Sequence, residues 1–104
     1  MDIQALLQHL GITPNYRGFH FLLSARQILH NNPNALLLVT KHLYPYIAMI
    51  HNTSWSAVER SLRTAVQLAW AHNPALLQQM AGFPLTHKPT VSQFLSILIH
   101  YSPN

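Results

Sequence analysis

The chain has 104 residues, of which 49% are hydrophobic and only 8% charged, so it has the composition of one packed domain and not of a disordered tail. Six Lys and Arg against two Asp and Glu give a net charge of +4, and with almost no acid to oppose it a phosphate backbone is a plausible partner. There is no cysteine, which excludes disulfides and thiolate metal sites. No apolar run approaches the roughly 18 residues of a membrane span, and Met1 to Gly11 lacks the basic flank and cleavage site of a signal peptide, so a cytoplasmic protein with no membrane partner is the default.

The elements are expected as follows. Asp2 caps a first helix from Ile3 to about Leu10, which Gly11 ends. Thr13-Pro14-Asn15 is a turn. A second helix from about Arg17 to His30 offers Phe19, Leu22, Leu23, Ala25, Ile28 and Leu29 as a broad apolar face. Asn31 to Asn34 breaks the chain as a helix–helix turn. A third helical region begins near Asn34 or Ala35 and ends near His51. Pro45 lies within it and cannot donate the i→i−4 bond, so the region kinks there or restarts with Pro45 in its first turn. Ala48 is small enough for a close crossing, and Asn52 tolerates a left-handed turn.

The fourth helix, about Ser54 to His72, is the element around which the rest is organised. Val58, Leu62, Ala65 and Ala69 recur at helical spacing and make one apolar stripe. Ser56, Arg60, Arg63 and Gln67 fall on the opposite side, flanked by Ala57, Glu59 and Thr64, so three of the chain's eight charged residues share one face. Ser56 and Glu59 have capping-box spacing. Asn73-Pro74 starts a short fifth helix, Ala75 to Met80, closed by Gly82. Thr90 caps a last helix to about Tyr101. Val91, Phe94, Leu95, Ile97, Leu98 and Ile99 make it apolar almost all round, so it is either deeply buried or partly covered by another chain. These expectations add up to an all-α bundle of about six helices, a single domain over 1–104. A short helix, a tight turn and a helix with a basic outer face is the outline of a helix-turn-helix DNA reader.

The eight histidines do not form a metal site by sequence: no two lie closer than nine positions, and only Asp2 and Glu59 could add carboxylates. No Gly-rich phosphate loop and no Ser-His-Asp set can be assembled. Neither a cofactor nor an enzymatic activity is expected. The positive case is nucleic acid. Arg60 and Arg63 point the same way and can pair with phosphate or with guanine, and Glu59 can accept from a cytosine amino group. The plainer reading of both arginines is a solvated helix face.

Specific residues favour the DNA reading. Thr40-Lys41, Leu43-Tyr44-Pro45, Ile47-Ala48, Asn52-Thr53, Val58-Glu59-Arg60, Arg63, Ala65 and Ala69-Trp70 form a series that resembles the C-terminal effector domain of the stage-zero sporulation response regulator. Gly18, Phe19 and Leu22 match its early helix, and Pro89-Thr90, Ser92 and Phe94 its last. The resemblance implies a sequence-specific, double-stranded DNA-binding domain of a transcription regulator acting in sporulation. It places Ser54, Ser56, Ala57, Glu59, Arg60, Arg63 and Thr64 on the DNA-facing part of the recognition helix, with Lys88 beside it to meet a phosphate. It also implies tandem copies on adjacent boxes, which could touch as a homodimer through exposed Leu95, Leu98 or Ile99. The chain departs from the family at Ala57, where the family has arginine, at Thr64, where it has histidine, and in a shorter, less basic loop before the last helix. The family's receiver domain is not in this stretch, which reads as an excised effector domain or a stand-alone relative. A second function stays open: a helical interaction module that keeps the fold without tight DNA binding, using the last helix or Leu36 to Val39.

Overall fold

A computed structural model describes residues 2–101. Among them there is no strand. The α-helices are α1 (Ile3–His9), α2 (Arg17–Asn31), α3 (Tyr44–Ile50), α4 (Trp55–His72), α5 (Pro74–Ala81) and α6 (Val91–His100). The described residues thus form an all-α bundle of six helices.

Local chemistry sets most of the boundaries. The Asp2 side chain accepts from the Ala5 N–H at 2.8 Å and so starts α1. Gly11 follows its last turn at φ +87°, a conformation that costs glycine nothing. The Asn73 side chain caps α5 by accepting from the Leu76 N–H, and Pro74 occupies the first turn, where its missing N–H is not needed. Thr90 and Gln93 form a reciprocal capping box at the start of α6.

Of the two forms expected around Pro45, the chain takes the restart and not the kink. The region runs as a 3-10 turn, Pro33–Leu36, then a π-helical turn, Val39–Leu43, and only then α3, with Pro45 in its first turn. The four apolar residues Leu36 to Val39 do not run on as one buried face: Leu37 and Leu38 are exposed. Periodicity could not show this, because a short apolar run has the same appearance whether or not the chain unwinds within it.

The core is built on α4. Val58, Leu62, Ala65, Val66 and Ala69 are buried along one side of it. They meet Phe19, Leu22, Ala25 and Leu29 from α2 and Phe94, Leu95 and Leu98 from α6. The α2 and α4 backbones come very close at Gly18, where a Cβ would stand 2.7 Å from the Ser61 carbonyl oxygen. That position accepts only glycine without a shift of one helix. The last helix is apolar all round because its own chain covers it. Leu95 is 0% and Leu98 3% exposed, and Val91, Ile97 and Ile99 are half-buried against α2, α4, α5 and the 3-10 turn. Leu95 and Leu98 are therefore core residues and not an exposed contact surface. Gln93 and His100 are what α6 shows to solvent.

The corner between α3 and α4 is a Schellman turn. The Thr53 N–H bonds the Ala48 carbonyl at 2.9 Å and the Asn52 N–H bonds the Met49 carbonyl at 3.3 Å. Asn52 is the one non-glycine residue with positive φ, +52°, among those described. Asparagine tolerates this region, whereas a β-branched residue does not. Asn52→Val should therefore cost about 1–2 kcal/mol of stability while Asn52→Gly is near neutral. Urea unfolding of the two variants measures the difference, and equal stabilities would show that the corner relaxes out of the left-handed conformation.

Candidate nucleic-acid interface

The turn delivers the chain directly into α4. Ser54 is the N-cap, and its hydroxyl accepts from the Ala57 N–H at 3.1 Å. The expected capping box between Ser56 and Glu59 does not form. Trp55 and Ser56 are already helical, the Ser56 hydroxyl lies 3.2 Å from that of Ser54, and the Glu59 carboxylate turns to Arg63 instead. Either serine can cap, but only Ser56 has a glutamate three residues on, so the spacing points to it; Ser54 takes the cap with Ala57 at the third helical position, where no side chain can complete a box.

Ser56, Arg60, Arg63, Thr64 and Gln67 are exposed, on the side of α4 away from its buried stripe. Ala57 is half-buried, not open, on the flank toward Ser61. Glu59 and Arg63 form the only ion pair among the described residues, at i,i+4 on the helix. Such an exposed pair contributes about 0.3–0.5 kcal/mol, so its main effect is to fix where the two groups point. Lys88 reaches α4 from the loop before α6, and its Nζ donates to Gln67 Oε1 at 2.8 Å. Gln67 lies seven residues beyond Arg60, about 10 Å along the axis, so Lys88 extends the basic strip rather than standing apart from it.

Between these groups and α3 runs a groove of about 480 Å³ lined by Tyr44, Glu59, Arg63, Lys88 and Thr90. Tyr44 packs inside it, and burial, with the Glu59 carboxylate next, raises its pKa; the Arg63 guanidinium works the other way. The phenol therefore stays a neutral hydroxyl well past neutral pH.

One cation at the corner was not legible in the sequence. Arg17 opens α2, its Nη2 donates to Thr53 Oγ1 at 3.0 Å, and its guanidinium lies 5.3 Å from the centre of the Phe21 ring. Thirty-six residues separate Arg17 from Thr53, and no periodicity links them. His51 is held on the same side: it hydrogen-bonds Ser24 Oγ at 2.7 Å and meets Phe21 edge-on. The structure thus brings Arg17, Arg60, Arg63 and Lys88 around one helix. It leaves Arg26 elsewhere on the surface, beside Gln27 and His30.

Among the described residues no three His, Asp or Glu side chains gather where they could hold a metal ion. No described helix is long and apolar enough to cross a membrane.

The family described as the sporulation initiation factor Spo0A C terminal matches residues 3–101, which is every described helix. That family is one of DNA-binding effector domains of a sporulation transcription regulator. A match over nearly the whole chain, on a six-helix fold with a capped helical pair at its centre, shows that this protein belongs to the family of the Spo0A C-terminal effector domain.

Proposed function

We propose that this domain is a sequence-specific reader of double-stranded DNA in a cytoplasmic transcription regulator, with the start of α4 entering the major groove. One observation carries this reading. On a helix delivered by a tight turn, the exposed side holds Arg60 and Arg63, and Arg17 and Lys88 flank it from other elements. Arg60 is free to reach a base or phosphate, and Glu59, once released from Arg63, can accept from cytosine. Ser54, Ser56 and Thr64 contribute hydroxyls at the same end or face. In-vitro selection from random duplexes tests the proposal, followed by a salt titration on the recovered box. A defined box with an affinity that falls steeply with salt is the expected result. Enrichment of no sequence would refute it.

Tandem copies on adjacent boxes would touch through the exterior of α6, at Gln93, Ile97 or His100, since Leu95 and Leu98 lie inside. A second reading, a protein-interaction module, is favoured by the exposure of Leu37, Leu38, Tyr46, Met49 and Ile50. Binding to DNA that is weak, salt-insensitive and the same for every sequence would favour that reading.

Ala57 gives a prediction of its own. It lies in the first turn of α4, where side chains of a recognition helix reach base edges. Alanine can at best touch a thymine methyl group, whereas arginine there can give two hydrogen bonds to one guanine. Ala57→Arg should tighten binding by about 1–3 kcal/mol and sharpen the preference at one base pair. Competition between duplexes differing at single positions measures this. An equal gain for every base would mean phosphate attraction alone.

A further inference from the structure

The start of α4 carries a large side chain that the proposed function leaves unused. Trp55 is the first residue of the helix, and 51% of its surface is open to solvent. It lies outside the buried stripe of Val58, Leu62, Ala65, Val66 and Ala69. Trp55, Glu59 and Arg63 are spaced by four, so they follow one line of the helix, and the last two are paired along it. Trp55 stands one turn nearer the N-terminus than Glu59, about 6 Å along the axis. An indole in this position leaves a large apolar area in water unless a partner covers it.

The charges around it select the partner. Arg17 is hydrogen-bonded to Thr53, two residues before Trp55, and Arg60 and Arg63 follow it on α4. The only acid nearby, Glu59, is neutralised by Arg63. An exposed indole on an element where cations outnumber acids fits a polyanion that also offers apolar groups. In a duplex those groups are the thymine C5 methyls, which project into the major groove. The group that a carboxylate reads there, the cytosine amino group, is also on a pyrimidine. A column of Trp55 above Glu59 is thus matched to neighbouring pyrimidines on one strand.

We propose that Trp55 is a base-reading residue of this domain, with its indole packed on a thymine methyl group beside the base pair that Glu59 faces. The proposal rests on the duplex-binding reading above.

The test uses the duplex recovered by selection and replaces each thymine in turn by uracil, which removes only the methyl group. The parent protein should lose about fourfold in affinity at one thymine position, the effect of uncovering a single methyl-sized group. Trp55→Ala should bind the thymine and uracil duplexes equally, and Trp55→Phe should keep part of the difference. Trp55 is exposed, so melting curves of both variants should match the parent, separating the effect from folding. Three results would overturn the proposal while leaving duplex binding intact. A uracil penalty that persists in Trp55→Ala would assign the methyl to another side chain. A loss of affinity equal for every duplex would assign the indole to the backbone. No change at all would assign this surface to another partner, such as a second copy of the chain. Failure of the parent to bind any duplex would overturn the reading beneath the proposal and the proposal with it.

Discussion

Phe94→Ala should cost this domain about 3–5 kcal/mol, the range for removing a buried phenyl ring and leaving a cavity. Phe94 is fully buried and sits on α6, which packs against α2, α4 and α5. A domain of this size has a total stability of about 5–15 kcal/mol, so the loss takes away about a fifth of it at the least and nearly all of it at the most. The midpoint of thermal unfolding should fall by roughly 4–8 °C for each kcal/mol. The DNA-facing side of α4 is untouched, so binding should fall only through the smaller folded fraction and should recover on cooling. Gln93→Ala provides the contrast. It removes one side of the Thr90–Gln93 capping box, an exposed feature worth on the order of 1 kcal/mol. A Phe94→Ala loss no larger than that of Gln93→Ala would mean that α6 is peripheral, and its apolar surface would then again be available to a second copy.

The contrast between α6 and α4 shows what could be read before folding. The apolar stripe of α4, the caps at Asp2 and Thr90 and the left-handed positions at Gly11, Asn52 and Gly82 all depend on residues a few places apart. Their physics is local, and the elements form where the spacing puts them. A helix apolar on every side is different. Its sequence states that it will be covered and says nothing of whether its own chain or another does so; only the packing of α2, α4 and α5 decides. The break at Leu37 and Leu38 was hidden for a related reason, since tertiary fit unwinds a run that local propensity would continue. At the site, Arg60 and Arg63 could be placed from the period of α4. Lys88, 21 residues from its partner Gln67, could be placed only by the family resemblance, and Arg17 at Thr53, 36 residues apart, has no signature in the sequence at all.

Replacing Arg60 and Arg63 together by alanine should remove specific DNA binding. Each arginine that pairs with a base or a phosphate is worth about 1–3 kcal/mol, so the two cost roughly 2–6 kcal/mol if they act independently. Their surroundings differ, and the single variants should differ with them. Arg60 is exposed and outside the one ion pair, so it is free to reach a base edge. Arg60→Ala should relax the preference at one base pair and leave the salt dependence nearly unchanged. Arg63 is tied to Glu59. Arg63→Ala removes a cation and also leaves the Glu59 charge unpaired in the field of a polyanion. It should weaken all sequences alike, with a salt slope smaller by about one charge. The repulsion can be isolated by adding Glu59→Gln to Arg63→Ala, which should return part of the lost affinity. Glu59→Gln alone should instead raise general affinity while blurring the cytosine preference, because an amide can also donate. Titrations of the four proteins at several salt concentrations close the double-mutant cycle and give the coupling directly. If the Arg60 and Arg63 double variant binds the selected box as tightly as the parent at low salt, α4 is not the helix that reads DNA.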